Sequence, residues 1–266
     1  MQGSSAPIGA LCLGVALAAA STTHADFAEI KAHGVLRVLA SSDESPAWFA
    51  VAPAAAPGFE REVLEGFARL HRLRIEVVPV EVWGEAIPDL IKGRGDVIAG
   101  INDTPARREQ IAFTSELVPS RHVVVTRKPY RVVGSVPELR KERVGVVTGT
   151  TWAEAVTAAG VPAAQVRTFP DNASCLEALR DGSVTATVMD VVDFLLDRRT
   201  QPELQDGAVV GSAVSGAWGV RKSDPQLRRE LDAYLDNLKK TPTWSRLIVQ
   251  YFGGDAMRVL GRSRDQ

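Results

Sequence analysis

Two rhythms of apolar positions alternate along this chain. Short β-branched runs, in which every second residue or every residue is apolar, are followed by stretches whose apolar residues recur three and four apart. The first cycle reads Leu36 to Ala40 as a strand and Glu60 to His71 as a helix, with Val63, Leu64, Phe67 and Leu70 on one face. A strand follows at Ile75 to Val80, then a helix from Trp83 to Lys92 through Ala86, Ile87, Leu90 and Ile91, and a strand at Asp96 to Ala99. A second cycle opens at Val144: strands Val144 to Val147, Val166 to Phe169 and Thr185 to Met189 alternate with helices Trp152 to Ala159, Ala173 to Asp181 and Val191 to Arg199. Two further helices, Pro225 to Lys239 and Thr243 to Phe252, close the chain.

This alternation predicts an α/β protein of two lobes, each a mostly parallel sheet flanked by helices. Between the cycles lies His122 to Thr126 (HVVVT), too short and too apolar for a flexible linker. It is expected to be a strand that passes directly from one lobe to the other, with Val209 to Trp218 as its return partner, so that two hinge strands join the lobes. The expected division is residues 26–122 in the first lobe, 123–213 in the second, and 214–266 back in the first.

The N-terminus changes the picture of where the protein works. Ile8 to Ala20 is an unbroken apolar run of about a dozen residues, shorter than the roughly 20 a membrane-spanning helix needs. The polar stretch after it ends Thr23-His24-Ala25, so residues 1–25 are expected to be a signal peptide removed after Ala25, leaving a periplasmic protein. No Lys or Arg precedes the run, and Cys12 lacks the flanking residues of a lipoprotein signal. Cys175 would then be the single thiol of the mature chain, an expected buried residue of a helix with no disulfide partner. With 45% hydrophobic and 24% charged residues and a formal net charge of -1, the composition is globular and offers no excess of cations for nucleic acid or anionic lipid.

In parallel α/β sheets, guests lie at the carboxyl ends of the strands, where helix starts present unpaired amides. One such junction is Gly100-Ile101-Asn102-Asp103-Thr104-Pro105-Ala106-Arg107. Here Thr104 suits the N-cap and Pro105 the first helical position, which puts Arg107 in the first turn. A cation there opposes the helix dipole unless an anion sits beside it, and Gly100 lets the backbone approach that anion; the alternative is a solvated arginine beside Arg108. The second junction, Thr148-Gly149-Thr150-Thr151-Trp152-Ala153-Glu154, spells a capping box from Thr151 to Glu154, with or without a guest at its amides. Asp190 ends a strand and precedes a helix, placed either to pair with an ammonium group or to cap that helix.

These junctions are where the chain resembles the bacterial extracellular solute-binding proteins of the polar amino-acid class, family 3. The matching pieces run in order: Gly58-Phe59-Glu60, Trp83 through Pro88 to Leu90, Gly95-Asp96-Val97-Ile98-Ala99-Gly100 leading into Thr104-Pro105-x-Arg107, Phe113-Thr114-Ser115, Val146 to Thr151, and Tyr251-Phe252-Gly253. The resemblance implies a type II periplasmic-binding fold that closes on a small amino-acid-like ligand for delivery to the membrane permease of an ABC importer, without catalysis, cofactor or metal, as a monomer. It implies that Arg107 clamps the ligand carboxylate, that Gly100 and Asn102 add contacts, that Thr150 and Thr151 close on the same carboxylate, that Asp190 takes the ammonium and that Trp83 packs on the side chain. The chain departs from the pattern after the first strand, where Ser41 and Glu44 stand in place of the usual acid and aromatic, and Trp48 and Phe49 are displaced beyond Pro46. Glu44 in the pocket would favour a cationic or hydrogen-bonding side chain. The same fold also hosts periplasmic dehydratases acting on prephenate-like substrates, but their Gly-Gly-Thr-Asn-Glu turn is here Thr148 to Trp152, with only Asp193 and Glu154 as candidate acids. A ligand-sensing module for a membrane partner is a third reading.

Overall fold

A computed structural model describes residues 26–256 except 43, 54 and 255. The expected signal peptide, with Cys12, lies outside the described residues. In chain order the elements are α1 (Phe27–His33), β1 (Val35–Ser41), α2 (Phe59–His71), β2 (Arg74–Val80), a 3₁₀ turn (Trp83–Glu85), α3 (Ala86–Ile91), β3 (Val97–Asp103), α4 (Pro105–Arg108), β4 (Ala112–Phe113) and β5 (Val118–Arg127). They continue with α5 (Val136–Leu139), β6 (Val144–Val147), α6 (Thr151–Ala158), a second 3₁₀ turn (Ala163–Gln165), β7 (Val166–Phe169), α7 (Asn172–Asp181), β8 (Ala186–Asp190), α8 (Val191–Thr200), β9 (Leu204–Val220), α9 (Pro225–Leu238) and α10 (Pro242–Phe252).

The strands hydrogen-bond in the order β2-β1-β3-β9-β5-β8-β6-β7, with β4 added on β9. At one end β1 runs parallel to β2 and β3; at the other β6 runs parallel to β7 and β8. The long antiparallel pair β5 and β9 joins the two parallel groups, since β9 pairs with β3 while β5 pairs with β8. The two lobes therefore share one continuous sheet. The crossing strands extend beyond HVVVT and Val209 to Trp218, because pairing with each other satisfies their backbone groups along nearly their whole length.

Apolar faces decide which elements pack. Phe59, Val63, Leu64, Phe67 and Ala68 of α2 are buried in a core that continues through Val118 and Val123 of β5 to Cys175, Leu176 and Phe194 of the second lobe. Leu70 falls at the edge of the α2 stripe and is 66% exposed, and Ile91, at the last turn of α3, is also exposed. Both were expected to face inward; each lies at the edge of its helix's buried stripe, where periodicity overstates burial. Helix α2 starts at Phe59 behind Gly58, whose φ is 78° and where a Cβ would stand 2.6 Å from Pro46 O, a position only glycine fills. Helix α10 ties the lobes from behind: Arg199 Nη1 of α8 donates to Gln250 O, and Tyr251 Oη donates to Glu62 Oε2 of α2. Cys175 is buried, its Sγ 3.1 Å from Thr187 Oγ1, and burial pushes its thiol up, as an inert core cysteine requires.

One buried ionic network anchors the first lobe. Asp96 is 1% exposed and accepts from Arg37 N at 2.9 Å, Arg37 Nε at 3.1 Å and Arg37 Nη2 at 2.6 Å. On its other side lies Arg221, itself paired with Asp224 at 2.7 Å. Replacing Asp96 with Ala leaves the buried Arg221 short of a counter-charge and is expected to cost about 3–5 kcal/mol. Urea unfolding checks this; a loss under about 1 kcal/mol would show that Asp224 alone suffices.

Candidate functional site

The ends of the parallel strands from both lobes open onto one cavity of about 1000 Å³. From the first lobe come Ser41 at the end of β1 and Gly100 to Asn102 of β3; from the second come Val147 and Thr148 after β6, Pro170 after β7 and Asp190 at the end of β8. All nine residues singled out in the sequence, Ser41, Glu44, Trp83, Gly100, Asn102, Arg107, Thr150, Thr151 and Asp190, line it. Parallel strands end together at one edge of a sheet, so residues distant in sequence arrive at one place.

Arg107 is positioned by its cap. Thr104 Oγ1 accepts from Arg107 N at 3.3 Å, Pro105 begins α4, and Arg107 Nη1 donates to Asn102 O at 2.9 Å. The guanidinium is half-buried on the cavity wall, and burial pushes its pKa down, with Glu154 of the second lobe the opposing charge. Among the described residues it makes no ion pair within 4 Å, unlike Arg108, which pairs with Asp103.

Opposite stands the start of α6. The cap is Thr150 rather than the expected Thr151: Thr150 Oγ1 accepts from Ala153 N at 3.4 Å and donates to Val147 O at 2.7 Å. The shift of one residue frees the Thr151 hydroxyl, which accepts from Asn102 Nδ2 at 3.3 Å and so links β3 to α6 across the cleft. Asp190 takes the capping role, one of the two the sequence left open. It caps α8 through Val192 N at 3.4 Å while its carboxylate also takes the Ser120 hydroxyl and lies on the cavity.

The rest of the lining is acidic in a way the sequence reading missed. Glu60, Asp193 and Asp197 join Glu44 and Asp190 on the cavity, against Arg107 and Arg180. None of the five carboxylates makes an ion pair within 4 Å among the described residues. Burial pushes Glu60 up to about 8, Glu44 to about 7 and Asp190 to about 6, and raises Asp193 well above the carboxylate range. Asp190, Asp193 and Asp197, spaced three and four apart from the cap of α8, form one stripe of that helix, a signal the sequence did carry. Trp48, 8% exposed, forms part of the wall and packs on Phe59 and Phe252 at 5.3 and 6.0 Å. Trp83 is half-buried at the mouth, in the 3₁₀ turn before α3. No cluster of three or more metal-ligating side chains occurs among the described residues. Arg107 on one lobe and the start of α6 on the other thus face the cavity from two sides, and carboxyl groups from both lobes line the rest of it.

The bacterial extracellular solute-binding proteins, family 3, match residues 36–254. Membrane-bound lytic murein transglycosylase F of Desulfosudis oleivorans is 27% identical over 231 residues, covering 84% of this chain and 50% of that protein. The protein of the same name from Pseudomonas syringae pv. syringae is 27% identical over 232 residues, covering 84% and 46%. The chain spans about half the length of these curated relatives. Among solved structures, the P235GK mutant of ArgBP from T. maritima has a TM-score of 0.73 at 26% identity, over 85% of this chain and 98% of that one. The arginine-bound form of truncated ArgBP gives 0.69 at 26%, over 80% and 100%. AncCDT-1, an ancestral amino acid-binding protein and precursor of cyclohexadienyl dehydratase, gives 0.73 at 25%, over 85% and 98%.

The buried carboxyl groups set a pH dependence. With Glu60 near 8 and Glu44 near 7, the folded empty protein keeps protons that the unfolded chain has lost by about pH 5. Their contribution is complete below the unfolded pKa and disappears as pH rises through the folded values. His122, lowered to about 4 by burial, acts in the opposite sense, but only below about pH 6.5. Stability is therefore expected to fall between about pH 6.5 and 8, by up to about 1.4 kcal/mol per pH unit for each proton. Urea midpoints across that range test it, and Glu60→Gln should flatten the slope; an unchanged slope assigns it to other groups.

Proposed function

This chain belongs to the bacterial extracellular solute-binding proteins, family 3, and we propose that it captures a small amino-acid-like solute with a cationic side chain by closing its two lobes. The observation that carries this reading is the polarity of the cavity: Arg107 faces the start of α6 across it, and carboxyl groups with no ion-pair partner among the described residues surround them. Arg107 takes the ligand carboxylate, supported by the amides of Thr150 and Thr151 and by a contact from Asn102, while Gly100 leaves room beside it for the cationic end. Asp190 takes the α-ammonium, Trp83 covers the side chain, and Glu44 meets its cationic end beyond Ser41.

The likeness to ArgBP, one structure of which is arginine-bound, supports a cationic guest. In the closed state the solute touches both lobes and in the open state only one, so binding and closure favour each other. The crossing strands β5 and β9 absorb the change as the hinge between residues 26–122 with 214 onward and residues 123–213. The Asn102 to Thr151 hydrogen bond links the lobes across the cleft and favours their closure. Delivery to the permease of an ABC importer, after export and removal of residues 1–25, completes the reading, with the protein acting as a monomer and without catalysis.

A second reading rests on the relatives named lytic murein transglycosylase F, of which this chain covers about half: the same cleft would report solute to a membrane partner. Purified protein titrated with arginine, lysine, ornithine, leucine and glutamate by calorimetry tests the binding claim. Cationic amino acids are expected to bind at least tenfold more tightly than leucine, and small-angle scattering should show compaction on binding. Arg107→Ala should weaken binding by two to three orders of magnitude, about 3–4 kcal/mol, since a buried carboxylate loses its charged partner. Equal affinity for arginine and leucine would remove the cationic assignment, and steady turnover of prephenate would replace the binding reading with a dehydratase.

A further inference from the structure

The cavity wall at Gly100 holds two acidic side chains with no cation of the protein beside them. Glu60, 1% exposed, receives Gly100 N and Trp218 Nε1 on Oε1, both at 2.9 Å, while Oε2 has no hydrogen-bond partner among the described residues. The point where a Cβ of Gly100 would stand lies 3.1 Å from Glu44 Oε2, 3.8 Å from Glu60 Oε2 and 3.7 Å from Trp48 Nε1. Two carboxyl groups therefore face one spot, kept open because residue 100 is glycine at φ 66°. Asp190 at the end of β8 and Asp193 on α8 add negative charge from the second lobe, and Arg107 has its opposing charge in Glu154 instead. The indoles of Trp48 and Trp218 supply donors but no charge. Glu44 and the buried Glu60 oppose each other's ionisation at this spot.

We propose that Glu44 and Glu60 form a proton-exchange subsite: the pair keeps a proton in the empty protein and gives it up to solvent when the cationic end of the guest moves in beside Gly100. The inference rests on the proposed capture of a cationic amino-acid-like solute and adds the currency in which its selectivity is expressed. The step balances without redox chemistry: one carboxyl O–H bond breaks, the proton passes to water, and the guest cation keeps its own charge while pairing with the new carboxylate. Burial holds both groups protonated up to near-neutral pH, which agrees with the geometry. A guest with a neutral side chain cannot displace the proton, so the pair discriminates by charge rather than by shape. Affinity for a cationic guest then rises with pH by up to about tenfold per unit while the pair holds its proton, and the guest is released by acid.

Calorimetric titration of arginine at pH 7 in phosphate and in Tris measures protons released on binding, because the two buffers differ in ionisation enthalpy. About one proton per arginine is expected for the native protein and close to none for Glu44→Gln, with Glu60→Gln as the second variant. Infrared difference spectra of the native protein against Glu60→Gln at pH 7 should independently show the carbonyl band of a protonated carboxyl, over and above any that Asp193 contributes to both. Absence of that band overturns the proposal whatever binds, and so does tight arginine binding with no proton released. Failure of every cationic amino acid to bind while the band is present would instead sink the proposed function, and the exchange step with it.

Discussion

Carboxyl groups taken out of water without a protein cation beside them are the constraint around which this site is organised. Moving a carboxylate into a low-dielectric crevice costs several kcal/mol unless it is paired, hydrogen-bonded or protonated. The fold offers partial relief to each: Ser120 and the first amides of α8 hold Asp190, Gly100 N and the Trp218 indole hold Glu60, and Asn172 holds Asp197. Elsewhere in the molecule buried acids have full ionic partners, as Asp96 does in Arg37 and Arg221. The contrast between a satisfied network in the body of the first lobe and an unsatisfied one in the cleft separates what holds the protein together from what awaits a guest.

That separation depends on the sheet. Because β5 and β9 run on through both lobes, the two groups of parallel strands end at facing edges, and the helix starts that follow them converge. Electrostatics within the cleft are then divided by lobe. Arg107, Glu44 and Glu60 approach from one side, Asp190, Asp193 and the Thr150 to Thr151 turn from the other, so both lobes contribute polar groups to one cavity. Asn102 and Thr151 are the one described side-chain hydrogen bond joining β3 to α6, and the α10 contacts through Arg199 and Tyr251 lie behind the hinge rather than in the cleft.

Much of the fold was legible because hydrophobic periodicity is a local property. The strands Val144 to Val147 and Val166 to Phe169 have the bounds read from the pattern, and the helices differ by a residue at their ends, except that the one expected from Trp83 begins as a 3₁₀ turn and becomes α-helical only at Ala86. The errors have a common cause. Leu70 and Ile91 obey the period yet face water because each lies at the edge of its helix's buried stripe, and Thr151 fits a capping box whose cap is Thr150 because the backbone turns one residue earlier. Short elements such as α1, β4 and α5 carry too few residues for a period to register.

The sequence by itself determined the alternation of strands and helices and the cap at Thr104, since these are written in local spacing and short motifs, and with the family resemblance it pointed to the nine residues that line the cavity. Only the tertiary structure decided that Glu60 and the Asp190, Asp193 and Asp197 stripe share that cavity, and that Glu44 and Glu60 face the same point beside Gly100. Charge balance in a buried space depends on which groups meet across tens or hundreds of residues, and on how much water is left between them. No local pattern encodes either quantity.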